Sequence, residues 1–183
     1  MILSFKPATR HHEQDVFSWL AAPHIKEFWD NDQAHRDDIL NFMDGRKTQS
    51  PYYDGIHDYW ICSYEGDPYA LVMTHEAKLG ERNLAPYFTP YLAKNGKTIG
   101  LDFCIGNLNH VGKGLAAPTL AAFMDFFVKH IDPEVVTFLI DPALNNPRAI
   151  HVYIKAGFEK VCEYVQGKGY FSGQSGILMA RNR

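Results

Sequence analysis

The order of apolar and polar residues along the chain predicts short strands interspersed with amphipathic helices. Strands are predicted where apolar and polar residues alternate, or where a short run stays apolar between turn residues. They cover residues 2–6, 59–64, 69–77, 98–106, 134–140, 158–165 and 176–180. Helices are predicted where apolar residues recur every three or four positions. They cover residues 12–22, 35–44, 115–130 and 147–156, with an aromatic connector at 24–30.

The central part of this pattern predicts a parallel pair of strands. Residues 98–106 form a strand, residues 115–130 a helix long enough for a crossover, and residues 134–140 a second strand. That second strand is β-branched and apolar throughout, which is typical of a strand buried on both faces. We therefore expect an α/β (α+β) chain with a mixed sheet, folded as a single domain over residues 1–183.

A long polar segment at residues 78–97 joins the third and fourth predicted strands. It is long for a hairpin connection, and long loops in compact domains are often functional. It carries Tyr87, Phe88 and Tyr91. The sequence leaves open whether these rings face a substrate or plug the core.

Composition and charge exclude several classes of protein. Hydrophobic residues make up 46% of the 183 residues, which is enough to bury a sizeable core. The formal net charge is -3 and no basic patch stands out, which argues against a nucleic-acid partner. No apolar run approaches the length of a membrane span, and the first residues lack the features of a signal peptide, so we expect a cytoplasmic protein that does not bind membranes.

Cysteine and histidine spacing gives no sign of a metal site. The three cysteines, Cys62, Cys104 and Cys162, are far apart in strand-like runs, which is typical of reduced core thiols. The nine histidines show no ligand spacing. We expect no bound metal.

A glycine-rich turn separates the predicted strand at 98–106 from the helix at 115–130. It contains Gly112, Lys113 and Gly114, between Val111 and Ala116. Backbone N–H groups in such a turn converge on one point, and the positive end of the following helix favours an anion there. A tight turn that merely requires glycine is the alternative.

A more specific motif follows the second of the parallel strands. It resembles the Asn-x-x-Ala-x-x-x-Tyr-x-x-x-Gly-Phe signature of the GNAT superfamily of N-acetyltransferases. The matching residues are Asn146, Ala149, Tyr153, Gly157 and Phe158. The glycine turn resembles the pyrophosphate loop of the superfamily, with Gly114 and Ala116 in its last positions and Val111 where Gln or Arg is usual.

Within the superfamily, the chain is most similar to the aminoglycoside 6′-N-acetyltransferases. The likeness spans most of the chain and lies in the segments 19–29, 100–102, 108–115 and 141–158. A group that acetylates hydroxylysine in siderophore synthesis shares several of these segments. The resemblance implies a GNAT-like domain with a mixed sheet of about six to seven strands, splayed around the parallel βαβ unit and flanked by about four helices.

The resemblance implies acetyl-CoA as the co-substrate and names the residues that hold it. Backbone groups of Gly112, Lys113, Gly114 and Ala116, with Val111, are expected around the pyrophosphate. The pantetheine is expected between the two parallel strands, with free N–H groups near Cys104 or Ile105 serving the thioester oxygen. For Asn146, a pantetheine contact and a helix N-cap are both open.

Two residues are expected to act in catalysis. Tyr153 stands where the family places its general acid, although a tyrosine on a helix is otherwise a packing residue. Asp102 lies within an apolar strand, where a carboxylate is costly to bury unless it faces a polar cleft. By resemblance, Asp102 positions the acceptor amine or takes its proton.

Acidic residues point to a cationic acceptor. By resemblance, Asp102 and Asp141 belong to its binding site, although Asp141-Pro142 is also a common way to begin a turn. Glu76 and Glu81 are weaker additions. Trp29 is expected to wall the acceptor pocket or to form a lid over the first helix.

The expected function is acetyl-CoA-dependent acetylation of a primary amine on a polycationic small molecule, the 6′-amine of an aminoglycoside first among them. Two alternatives remain open at this point. One is acetylation of another amine or hydroxylamine, such as N-hydroxylysine in siderophore synthesis. The other is an acyl-CoA-binding module without turnover. The sequence is compatible with a monomer or a homodimer.

Overall fold

Seven strands form one mixed sheet in the computed structural model, which describes residues 2–46, 48–80, 84, 86–167 and 169–183. The strands are β1 (Leu3–Pro7), β2 (Asp58–Tyr64), β3 (Asp67–Glu76), β4 (Lys97–Ile105), β5 (Val135–Ile140), β6 (Glu159–Val165) and β7 (Ser175–Asn182). Their order across the sheet is β1-β2-β3-β4-β5-β7-β6. Among the strands of the described residues, only the β4–β5 pair is parallel. The predicted mixed sheet around a parallel βαβ unit is confirmed.

Five α-helices accompany the sheet over the part of the chain given above. They are α1 (Glu13–Ala21), α2 (Pro23–Lys26), α3 (Gln33–Met43), α4 (Ala116–His130) and α5 (Pro147–Lys155). The start of the predicted connector at 24–30 is helical instead. Ala22 is extended and Pro23 follows at the first helical position, where its missing N–H and fixed φ are favourable.

The sheet has a core on each face because its strands alternate their side chains. On one face α4 and α5 cover the sheet, and Phe123 and Leu120 are fully buried among strand residues such as Leu101 and Phe138. On the other face α1 and α3 cover β2 and β3, with Leu20 and Ile39 fully buried. Each such side chain contributes about 1.5–3 kcal/mol through burial.

The parallel strands β4 and β5 part before β4 ends. Their pairing runs from Lys97 with Val135 to Leu101 with Ile140, where β5 stops. Strand β4 continues to Ile105 while still paired with β3 on its other side. A gap therefore opens in the middle of the sheet beside Asp102–Ile105, as the predicted splay requires.

The segment at 78–97 contains a 3₁₀ helix, Pro86–Tyr91. Its rings pack near Leu139 and Leu178, and the Tyr91 hydroxyl donates a hydrogen bond of 3.0 Å to the Val161 carbonyl. The aromatic residues of this loop thus cover the β5–β7 region of the sheet.

The remaining sequence expectations concern thiols, metals and membranes. Cys62, Cys104 and Cys162 are free, the first two buried. Within the described ranges, no group of three or more potential ligands could hold a metal ion. None of the helices seen there is long and apolar enough to cross a membrane.

Candidate active site

A cavity of about 820 Å³ opens on the α1–α3 face of the sheet, beside the gap between β4 and β5. Three aspartates line it: Asp30 after α2, Asp102 on β4 and Asp141 directly after β5. Aromatic side chains form much of the remaining wall. They are Phe28, Trp29, Tyr52, Tyr53, Tyr87, Phe88, Tyr164 and Phe171. The cavity therefore combines flat apolar walls with concentrated negative charge.

Burial and charge raise the pKa values of two of these carboxyl groups, Asp102 and Asp141. Burial raises the pKa of Asp102, and the charges of Asp141 and Asp30 raise it further. Burial also raises the pKa of Asp141, against the effect of a hydrogen bond of 2.6 Å donated by the Tyr164 hydroxyl. A cation placed between these groups would reverse the shift, because it favours their ionised forms.

The loop at 78–97 contributes directly to the cavity. Tyr87 and Phe88 line it, and the Tyr87 ring stacks on Tyr164 at 3.9 Å between centroids. Because Tyr164 holds Asp141, the loop orders one of the three carboxylates through that stack. The rings of this loop therefore face the cavity and also pack on the sheet.

Asp30 is a buried carboxylate that is held from two sides. Its Oδ2 accepts a hydrogen bond of 3.1 Å from the Tyr52 hydroxyl, and its Oδ1 lies 2.5 Å from His35 Nδ1. The His35 and Tyr52 rings are stacked at 4.3 Å. This fixed arrangement holds Asp30 at the cavity wall beside Trp29.

Two histidines, His57 and His75, also line the cavity. Glycines leave room for both rings: a Cβ at Gly55 would lie 2.4 Å from His57 Cε1, and one at Gly100 would lie 2.2 Å from His75 Cε1. Burial lowers the pKa of His75 to about 3, with a further contribution from His57. His75 therefore adds no positive charge at neutral pH that could repel a cationic ligand.

The structure brings Trp29, Asp102 and Asp141 together but separates Glu76 from them. Glu76 ends β3 outside the cavity lining, and its carboxylate lies 3.6 Å from Lys78 Nζ. Glu81 lies outside the described residues. The cluster thus contains Asp30 where the sequence suggested Glu76.

Tyr153 lies on α5, buried in the core on the other face of the sheet. Burial raises the pKa of its hydroxyl, and the charges of Asp102, Cys104 and Asp141 raise it further. Because those residues flank the gap between β4 and β5, Tyr153 and the cavity approach the same gap from opposite faces.

The end of α5 fixes the position of Tyr153. The Phe158 N–H donates to the Tyr153 carbonyl, and the Gly157 N–H donates to the Ile154 carbonyl, both at 3.0 Å. These two bonds, with Gly157 at φ 92°, form a Schellman motif. Gly157 and Phe158 of the sequence motif therefore form the C-terminal cap of α5, directly after the turn that carries Tyr153.

Asn146 caps the start of the same helix. Its side-chain oxygen accepts a hydrogen bond of 3.1 Å from the Ala149 N–H, and Pro147 occupies the first helical position. Of the two roles left open for Asn146, the N-cap is present.

The glycine turn leads into α4 with an open surface. Gly112 and Gly114 have φ of 76° and 74°, and a Cβ on either would meet no atom within 4 Å. No side chain caps α4, and its first turn carries no acidic residue. The amides of Ala116 and its neighbours can therefore bind an anion, and the residues present fit a phosphate.

Val111 differs from the rest of the turn. Its N–H donates to the Leu108 carbonyl at 3.2 Å, so this amide is already occupied. The Val111 amide is therefore not available to contact an anion at the turn.

The open edge of β4 offers backbone groups to the gap. The Ala77 N–H donates a hydrogen bond to the Thr98 carbonyl, and the Gly106 N–H donates one to the Tyr69 carbonyl. These bonds at the two ends of the β3–β4 ladder determine which β4 residues point their N–H groups at β3. Cys104 thus points its amide at β3, whereas Ile105 points its amide at the gap. Of the two residues expected to serve a thioester oxygen, Ile105 has the accessible N–H.

Several cavity residues could not be found by reading the sequence locally. Asp30, His57, His75 and Tyr164 come from separate segments, and none belongs to a spaced motif. The signal in the sequence for such residues was the alternation of side chains along the predicted strands. His75 and Asp102 share a face because Met73 pairs with Asp102, but that register becomes visible only in the fold.

Residues 9–165 match the family model described as an acetyltransferase (GNAT) domain. The aminoglycoside N(6′)-acetyltransferase type 1 of Klebsiella pneumoniae is 26% identical over 159 residues, which cover 83% of this chain and 71% of that relative.

Solved structures share the fold. The aminoglycoside N(6′)acetyltransferase of Legionella pneumophila superposes with a TM-score of 0.73 at 24% identity, covering 97% of this chain and 90% of that one. The aminoglycoside acetyltransferase AAC(6′)-Ib, in complex with coenzyme A and kanamycin, has a TM-score of 0.74 at 22% identity, covering 100% and 95%. With the family model matching most of its length, the chain belongs to the acetyltransferase (GNAT) domain family.

Proposed function

We propose that this protein transfers the acetyl group of acetyl-CoA to a primary amine of a polycationic small molecule, the 6′-amine of an aminoglycoside. The observation that carries the proposal is the placement of three carboxylates in one aromatic-walled cavity beside the gap in the sheet. Relatives named aminoglycoside N(6′)-acetyltransferase support this acceptor, as does the related structure with coenzyme A and kanamycin.

On the donor side, the backbone amides from Gly112 to Ala116 would hold the pyrophosphate at the start of α4. When bound, acetyl-CoA supplies an acetyl thioester that an amine can attack. The Ile105 N–H faces the gap and would donate to the thioester oxygen, where negative charge develops.

On the acceptor side, the carboxylates bind the ammonium groups and one of them receives a proton. The attacking amine must be neutral, so its ammonium form first loses a proton. Asp102 is the candidate acceptor of that proton, directly or through water, because it lines the cavity beside the gap and the bound polycation favours its ionised form. The new N–C bond then forms, and nitrogen releases its second proton to solvent, which balances the proton that the departing thiolate receives.

The departing sulfur needs a hydrogen-bond and proton donor, and the candidate, Tyr153, lies on the α4–α5 face of the sheet, opposite the cavity. As the C–S bond breaks, the Tyr153 hydroxyl would donate a hydrogen bond and then a proton to the thiolate, and solvent would restore the hydroxyl proton. The raised pKa keeps the phenol protonated at neutral pH. It also makes the phenol a weaker acid, so hydrogen bonding to the sulfur is its first contribution.

The direct test is release of CoA thiol when the purified protein is mixed with acetyl-CoA and kanamycin, followed by mass spectrometry of the product. We expect one acetyl group per kanamycin, on the 6′-amine. Transfer to N-hydroxylysine with none to any aminoglycoside would contradict the proposed acceptor. CoA binding without transfer to any amine would contradict the enzymatic function.

Replacing Gly114 by Ala is expected to weaken CoA binding about tenfold. An L-residue at φ 74° costs about 1–2 kcal/mol, and its Cβ would project into the open space over the turn. Isothermal titration with CoA measures the effect. Gly45→Ala is the control, since Gly45 also has a positive φ and open surroundings but follows α3. Equal affinity for Gly114→Ala and Gly45→Ala would contradict the role of the turn.

Aminoglycoside binding is expected to tighten as pH rises from about 6 to 8 and to release protons. Asp102 and Asp141 have raised pKa values, so they bind more protons in the empty cavity than exposed carboxyl groups would. A polycation binds their ionised forms and displaces those protons. Calorimetry in buffers of different ionisation enthalpy counts them. Asp102→Asn should release fewer, and an unchanged count would exclude Asp102 from the linkage.

A further inference from the structure

The end of β4 carries an irregularity that bears on the reaction, if the proposed function holds. The Gly106 and Asn107 amides both donate to the Tyr69 carbonyl, at 2.9 and 3.0 Å. Two residues facing one acceptor form a β-bulge, which bends the strand. The bulge begins directly after Ile105, whose amide and carbonyl both lie on the edge facing the gap.

A histidine holds the Ile105 carbonyl on that edge. His24 Nε2 lies 3.1 Å from the Ile105 oxygen. A carbonyl only accepts hydrogen bonds, so the His24 ring must carry its proton on Nε2. The ring projects from α2, which is anchored by the buried Ile25.

Helix α1 braces the same bulge. A Cβ on Gly106 would lie 2.1 Å from Trp19 Cγ, so the indole packs directly against the backbone there. The Trp19 side chain, which belongs to α1, is itself buried. The backbone on the C-terminal side of Ile105 is therefore fixed by an indole contact at Gly106 and a hydrogen bond from His24.

We propose that His24 is a positioning residue for acetyl transfer, which fixes the Ile105 backbone so that its N–H stays aimed at the thioester oxygen. An oxyanion donor acts only when it is held at hydrogen-bond distance from the oxygen before the charge develops. Displacement of a reacting group by about 1 Å can cost about a hundredfold in rate. Among the described residues, no hydrogen bond or ring contact joins His24 to Asp102 or Tyr153, so its effect passes through the β4 backbone.

The test compares His24→Leu with His24→Gln. The Gln amide can donate from close to the position of Nε2, whereas Leu keeps the bulk and loses the donor. We expect His24→Leu to lower kcat about 10- to 100-fold, with the KM for acetyl-CoA changed less than about threefold. His24→Gln should recover most of the loss. His11→Leu, at an exposed histidine, is the control for substitution itself.

Hydrogen–deuterium exchange at residues 101–110 gives a readout that does not depend on turnover. Exchange should rise in His24→Leu and return towards wild type in His24→Gln. Unchanged kcat in His24→Leu, or equal loss in both variants, would overturn the inference while leaving the proposed function intact. A wild-type protein that acetylates no amine would overturn the proposed function, and the role of His24 with it.

Discussion

Asp102→Asn is expected to lower kcat/KM for kanamycin by about 10²–10⁴-fold, the range typical of a lost acid–base group. Asn keeps the shape of the side chain but can neither take a proton nor pair with an ammonium group. Because Asp102 lines the acceptor cavity and the glycine turn does not, the affinity for CoA should remain within about twofold. Steady-state kinetics and CoA titration separate the two effects. Glu76→Gln is the matched control, since it removes a carboxylate from the neighbouring β3 outside the cavity.

The Asp102→Asn variant should be at least as stable as the wild type at alkaline pH. A carboxyl whose pKa is higher in the folded chain binds more protons when folded, so the free energy of unfolding falls as pH rises above the ordinary Asp range. Asn removes that dependence. We expect the Tm of Asp102→Asn at pH 8 to equal or exceed that of wild type. An inactive variant with a lowered Tm would point to misfolding and would contradict the catalytic role.

Tyr153→Phe is expected to lower kcat by about 10²-fold with little change in KM, because the hydroxyl acts as the thiolate leaves. The ring continues to fill its place against Phe158, whose centroid lies 6.2 Å away, so the fold should survive. Pre-steady-state thiol release measures the chemical step directly. Unchanged kcat would reduce Tyr153 to a packing residue.

Tyr164→Phe tests whether the expected loss of kcat in Tyr153→Phe is specific to Tyr153 or follows from the loss of any tyrosine hydroxyl near the gap. It removes the hydrogen bond to Asp141 on the acceptor side. We therefore expect a higher KM for kanamycin and a smaller change in kcat than for Tyr153→Phe. If both variants behaved alike, the two faces of the gap would not have separate roles.

Much of the fold could be predicted because its elements have strong local patterns. The continuous apolar run of β5 and the long helix α4 defined the parallel unit, and Asn146 and Gly157 marked both ends of α5. Helix α2 was missed because four residues are too few to show helical periodicity. What fixes it is packing by Ile25, which is a tertiary contact.

The candidate site was predictable where one residue conflicts with its surroundings. Asp102 and Asp141 are charged residues beside apolar strands, and that conflict is visible in the sequence. Asp30 gave no such signal, because its burial depends on Tyr52 and His35. Glu76 looked equivalent to the aspartates, but its position at the end of β3 directs it to Lys78. Such differences depend on strand register and loop path, which spacing alone does not encode.

The parting of β4 from β5 leaves an unpaired strand edge in the interior of the sheet rather than at its rim. Proteins usually protect such edges, because exposed backbone donors and acceptors recruit strands from other molecules and lead to aggregation. In the proposed mechanism the Ile105 N–H must stay open to the thioester, so this edge cannot be closed by another strand of the chain. Solubility and catalysis therefore place opposing demands on the same few peptide groups.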